Sequence, residues 1–196
     1  AALAFNRSDA TTYGGLISGT GNVTNSSTGT LTLSGTNTYT GGTTLAGGTL
    51  SLGSSQALGT EGTISFSGGS LQFTANNTTD YSARFSQDVN QAYAIDTSDE
   101  YITLFSALTS DGGSLTKQGA GILVLTGTNT YTGNTSIISG TLVVSENSSL
   151  ADSTNVSVAT GATYQVDETD TIGSIAGNGT IILNGYSLTA GGSNST

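Results

Sequence analysis

Residues 29–45 read GTLTLSGTNTYTGGTTL and residues 121–137 read GILVLTGTNTYTGNTSI, a repeat at an offset of 92 with 11 identities in 17 positions. Most mismatches exchange like for like, such as Leu45 for Ile137. The offset reaches further: Val23 falls on Leu115, Gly48 on Gly140, Leu50 on Leu142, Leu58 on Leu150, Ile64 on Val156 and Phe66 on Val158. Apolar residues land on apolar residues even where the letters differ, as a buried face demands.

A shorter period runs inside the long one. Leu31, Leu50 and Leu71 are spaced 19 and 21 apart, Leu45 to Ile64 is 19, and Leu123, Leu142 and Thr163 repeat the rhythm in the second copy. Each unit is a brief alternation, as in Leu31-Thr32-Leu33, Leu50-Ser51-Leu52 and Ile64-Ser65-Phe66. Period-two alternation puts apolar side chains on one face and Thr or Ser on the other, which is strand geometry. Gly35-Thr36-Asn37, Gly41-Gly42, Gly47-Gly48 and Gly68-Gly69 bracket the strands as turns.

Short strands recurring every ~20 residues predict a solenoid, because no single coil can bury its own apolar face. The expected fold is all-β, a right-handed single-stranded parallel β-helix of about nine coils and roughly 40–50 Å long at the usual strand spacing. A β-sandwich shares the short strands and turns but gives no reason for a 19–21-residue repeat. The segment 1–196 reads as one continuous β-helix. Long repeats lie near 14–85 and 111–170, and a third begins near 171–196, where GSIAGNGTII echoes GLISGTGNVT. Residues 76–111 break the rhythm, holding six of the 13 acids and three of the eight tyrosines, and read as a modified coil or an emerging loop.

Composition narrows the partners. The net charge is −10 with only Arg7, Arg84 and Lys117 as basic side chains, so nucleic acid and anionic membrane surfaces are not expected. There is no cysteine, which removes disulfides and thiolate metal sites. Few large apolar residues approach the disordered range, but disorder usually also brings high net charge or proline, proline is absent, and the apolar residues are patterned. Ala1-Ala2-Leu3-Ala4-Phe5 lacks the basic region of a signal peptide. The absence of an initial Met and the closing GGSNST read as a piece of a longer chain.

Residues 115–133, LTKQGAGILVLTGTNTYTG, resemble the autotransporter-associated β-strand repeat of Gram-negative type V passenger regions. The first copy, Gly29 to Gly42, matches its core but carries Asn25 where the second has Lys117. The Gly-x-Asn-Thr-Tyr-Thr-Gly core, with Thr36 and Thr128 at x, is the specific part, and the closing IGSIAGNGT is also similar to such passengers. The resemblance implies a β-helix at the bacterial cell surface or outside the cell, tethered to the outer membrane through a separate barrel. It carries no catalytic activity over, since fold does not fix function.

The residues themselves point away from chemistry. Without histidine, Ser-His-Asp and Cys-His arrangements are impossible. Carboxylate chemistry would need Asp96, Asp99 and Glu100, or Asp167, Glu168 and Asp170, which read more simply as solvated acids. Asp96–Glu100 is also the one stretch motivating calcium, although the glycine–aspartate nonapeptide is missing. Arg84 reads as a local ion pair with Asp80 or Asp88. Tyr39 and Tyr131 read as rings over the coil edge, with Asn37 and Asn129 bonding the turn backbone, or else as sugar platforms. Ice binding would need an outward threonine array, but Thr30-Leu31-Thr32 has no echo at Ile122-Leu123-Val124.

No catalytic, cofactor or metal site is therefore expected, and no enzyme. The expected role is a structural and adhesive rod segment; the competing reading is a polysaccharide-binding or polysaccharide-acting β-helix. The expected partners are further copies stacked end to end into an oligomer or fibre, and a surface polysaccharide or host-cell ligand. Exposed aromatics on one face would favour the binding module.

Overall fold

Alternating apolar and hydroxyl residues build the same unit repeatedly. The computed structural model describes residues 1–145 and 147–191, which wind into a parallel β-solenoid of about nine turns. One face carries nine strands in parallel register: Thr11–Tyr13, Thr30–Leu33, Thr49–Leu52, Ser70–Gln72, Ala92–Asp96, Ser114–Gln118, Thr135–Ile137, Asn155–Val158 and Ser174–Gly177. A second face is a four-stranded sheet of Ala2–Phe5, Asn22–Asn25, Thr43–Leu45 and Ile64–Phe66. A third is a five-stranded sheet of Tyr101–Leu104, Ile122–Leu125, Thr141–Val144, Thr163–Val166 and Thr180–Ile182.

The inward residues stack into one core along the axis. Leu31, Leu50, Leu71 and Ile95 pair in sequence on the nine-stranded face, and all are buried. The register differs slightly from the simple spacing. Leu45 stacks on Phe66 rather than Ile64, and Leu142 on Tyr164 rather than Thr163. Backbone pairing, not equal coil length, sets the stack.

The two long repeats do not lie on the same faces. Leu31 reaches Lys117 after four coils, 86 residues on, whereas its sequence counterpart Leu123 lies 92 on. Those six residues carry the second copy around one corner. The Val23 strand belongs to the four-stranded sheet, while the equivalent Leu115 strand belongs to the nine-stranded one. Likewise the Leu31 strand lies on the nine-stranded face and the Leu123 strand on the five-stranded face. The Asn37 turn covers the third face of its coils, and the Asn129 turn covers the side begun by the four-stranded sheet.

Residues 76–111 make this change of phase within the stack. The coil from Leu71 to Ile95 is 24 residues long, against 19 from Leu31 to Leu50. Phe85 bridges to Ile64 and keeps the side of the four-stranded sheet in line. Phe66, Phe85 and Tyr93 pack edge-on and stacked at centroid distances of 4.9, 5.4 and 6.2 Å, filling the wider coil. Tyr101–Leu104 then opens the new sheet. No helix among the described residues is long and apolar enough to cross a membrane.

Candidate binding face and the buried polar ladder

The Asn-Thr-Tyr core of each repeat is an internal device. Tyr39 and Tyr131 are wholly buried, and their hydroxyls hydrogen-bond with Thr43 and Thr135 at 2.7 and 2.5 Å. They are inside the coil rather than over its edge, so neither can stack a sugar. Burial raises both phenols above their ordinary pKa, against the pull of the threonine hydroxyl. Asn37 Oδ1 accepts from the Ile17 amide, and its Nδ2 donates to the Ala57 carbonyl, so one side chain ties three coils together. Asn129 does the same between the Leu108 amide and the Ser149 carbonyl. Coil backbone that leaves sheet pairing at a turn finds partners this way.

Asp170 takes the equivalent place one further step along the stack. It is 5% exposed, and its oxygens accept from the Leu150 and Thr171 amides. A carboxylate cannot make the onward donation that Asn129 makes. Burial raises its pKa, and the two amides oppose the shift. The buried Tyr164 hydroxyl has no hydrogen-bond partner among the described residues.

All three basic side chains are occupied. Lys117 is fully buried, and its Nζ donates to the carbonyls of Gln118, Gly119 and Ser139. Burial pushes its pKa down to about 8, with Asp96 pulling the other way. Asn25 donates to Gly47, the counterpart of Ser139, and accepts from the Ser27 amide, so the Asn-to-Lys exchange keeps one contact, loses one and adds two. Arg84 forms no ion pair with Asp80 or Asp88. Its guanidinium fans onto the Leu58, Gly59, Glu61 and Gly62 carbonyls and lies 5.6 Å from the Tyr81 ring centroid. Asp80 instead accepts from the Ser82 and Phe105 amides, and Asp88 from the Ser86 hydroxyl. The one salt bridge among the described residues is Arg7–Asp9, at 2.8 Å.

The acidic candidates do not converge. Asp96 accepts from the Ser98 amide and from Gln72 Nε2, Asp99 is exposed, and Glu100 is half-buried. Asp167 accepts from Gln165 and Asn184, and Glu168 from the Thr169 amide, while Asp170 faces inward. Among the described residues no three acids gather as a metal-binding group would.

One outward face departs from the hydroxyl pattern. On the strand Tyr101–Leu104, Ile102 and Leu104 point into the core, while Tyr101 is 64% exposed and Phe105, just past its end, 69%. Thr103 lies between them. The same rows continue through half-buried Ile122 beside Tyr101, and through the buried Val124 and Val143 beside Thr103. The nine-stranded face offers mostly Thr, Ser, Asn, Gln and Ala at comparable positions, with Asp96 and, just past the strand Thr135–Ile137, the exposed Ile138 as exceptions.

Comparison with known families matches the passenger-associated-transport-repeat at residues 23–52 and 115–144. The chain carries two autotransporter passenger repeats. The matched segments sit 92 residues apart, so the family pattern and the internal repeat are the same object. A stretch of 82 residues, 41% of the chain, is 56% identical to the adhesin BmaC autotransporter of Brucella suis biovar 1 (strain 1330). The chain spans about 2% of that relative's length. No solved structure matches. The passenger repeats point to a secreted or cell-surface location.

In both passenger repeats, the residues singled out most readily from the sequence proved internal. Tyr101 and Phe105 escaped notice, yet a signal was present: Tyr-Ile-Thr-Leu-Phe alternates like its neighbours, but with aromatics where they carry hydroxyls.

Proposed function

We propose that this segment is a non-catalytic structural rod of a surface passenger, holding adhesive surface away from the cell. The observation that carries the reading is the continuous stack itself, in which nine strands in parallel register line one face of a single unbroken core. Leu3 pairs with buried Val23 yet is 40% exposed, and Ile181 pairs with buried Tyr164 yet is 44% exposed. The Leu3 end holds an open depression of about 520 Å³ lined by Leu3, Tyr13, Leu16 and Ile17 among others. A second copy stacked end to end would cover these residues and pair the strand edges that the described residues leave open. The adhesin name of the relative supports an adhesive role for the rod.

Electron microscopy of the purified chain over a range of concentrations tests this. Rods of one-solenoid thickness that lengthen with concentration support stacking. Particles of a single short length at every concentration would remove self-assembly from the reading, and compact round particles would remove the rod itself.

A further inference from the structure

We propose that the outward face of the strand Tyr101–Leu104 binds a neutral saccharide chain, an assignment that rests on the adhesive reading above and names its ligand class. Three observations converge there. Tyr101 and Phe105 are the most exposed of the large aromatic side chains among the described residues, and they lie mid-rod, away from the uncovered ends. They point to the same side four residues apart, roughly 13 Å along an extended strand. Half-buried Thr103 stands between them on the same side of the strand, and Ile122 flanks Tyr101 on the next coil. Apolar platforms separated by a hydroxyl suit a pyranose chain, whose ring faces are apolar and whose edges carry hydroxyls.

Charge selects among saccharides. The net charge is −10, and exposed Asp99 and half-buried Glu100 adjoin the N-terminal end of this strand. Lys117 is buried on three carbonyls, Arg84 is spread over four, and Arg7 is paired with Asp9. No cationic side chain remains for a carboxylate, sulphate or phosphate, so an anionic glycan would meet repulsion without compensation. The same acids can accept hydrogen bonds from sugar hydroxyls. A basic peptide would respond to the acidity of the whole surface and would not depend on two rings in line. A second copy lying side by side on this face, unlike one stacked on an end, would meet the Asp99 and Glu100 carboxylates with acidic surface of its own.

The test titrates the 196-residue chain with neutral cello-, manno- and galacto-oligosaccharides, with sialylated and sulphated oligosaccharides, and with oligolysine. Calorimetry reads binding; tyrosine fluorescence serves as a second readout because the chain lacks tryptophan. At least one neutral series should bind with little dependence on salt. Tyr101→Ala and Phe105→Ala should each weaken it about tenfold or more, while Ile138→Ala, an exposed apolar change elsewhere, leaves it unchanged. Thermal melts showing the variants folded keep the comparison valid. The proposal is overturned if no neutral series binds, if anionic sugars bind as well, or if oligolysine competes for the rings. Unchanged binding by the ring variants, or a dimer that the ring changes abolish, would also overturn it. Rods that still lengthen in the microscope would then leave the structural reading standing.

Discussion

The repeats at 23–52 and 115–144 carry one pattern on two different pairs of faces. In the first, the strands lie on the four- and nine-stranded sheets; in the second, on the nine- and five-stranded sheets. Their interiors nevertheless agree closely. Tyr39 and Tyr131 bond to the threonine four residues on, Asn37 and Asn129 bridge the coils on either side, and Gly48 and Gly140 take positive φ of 53° and 66°. A Cβ at Gly48 would strike the Gly29 carbonyl oxygen, and one at Gly140 that of Gly121, which are again counterparts. The unit is therefore portable: its contacts are to the coils above and below, and any face of the prism supplies them. What distinguishes the copies is local, chiefly Asn25 against Lys117, and the neighbouring Asp170 where an asparagine would continue the ladder.

The largest test of equivalence is Tyr131→Ala beside Tyr39→Ala. Each should lose about 3–5 kcal/mol, as large aromatic truncations in a core do. Urea unfolding would show it, and a gap of more than ~1 kcal/mol between them would break the claim that faces are interchangeable. Next come Asn37→Ala, which leaves the Ile17 amide and the Ala57 carbonyl unpaired, and Asn129→Ala, which leaves the Leu108 amide unpaired while the Ser149 carbonyl keeps the backbone amide of residue 129. The first should cost about 2–3 kcal/mol and the second about 1–2 kcal/mol by the same measurement.

Asp170→Asn sharpens the comparison by restoring the ladder residue. At neutral pH it should raise stability by about 1 kcal/mol, since the ionised carboxylate is buried and has no onward donation to make. The raised folded pKa means that wild-type Asp170 favours folding most when protonated. That contribution is present below the unfolded value and fades as pH rises through the folded one. The advantage of the variant should therefore shrink on acidification; an advantage that grows would contradict the assignment.

The smallest effect belongs to Lys117→Asn, which gives the second copy the residue of the first. At pH 7 the change should lie within ~1 kcal/mol, because burial of the charge and its three carbonyl bonds oppose each other. A folded pKa of about 8 lies below the unfolded value of 10.5, so the neutral form suits the fold. Wild-type stability relative to the variant should then rise between pH 8 and 10.5. Parallel thermal melts would show this, and a fall over that window would mean that the carbonyls hold the ammonium more firmly than burial expels it.

Much of the molecule was legible because its rules are local. Leu50-Ser51-Leu52 and Ile64-Ser65-Phe66 show their inward residues by alternation alone, and the turn glycines mark where strands stop. The candidate residues were less legible. Tyr39 and Tyr131 sit in a polar, turn-like sequence that gives no hint of their burial, because the interior partner of each is a threonine hydroxyl. Arg84 has acids nearby in sequence, yet it meets carbonyls that arrive from the preceding coil.

The amino-acid pattern by itself determined the strand alternation, the coil of about 20 residues and hence the parallel solenoid with its continuous core. Only the tertiary structure decided which face each strand occupies. That depends on coil lengths accumulated from Leu31 to Lys117, where 86 residues complete four coils and a sequence offset of 92 does not. Alternation is a property of neighbouring residues, whereas phase around the rod is a sum over every insertion below it. The long coil through 76–111, closed by the Phe66–Phe85–Tyr93 cluster, settles that sum and leaves Tyr101 and Phe105 facing outward.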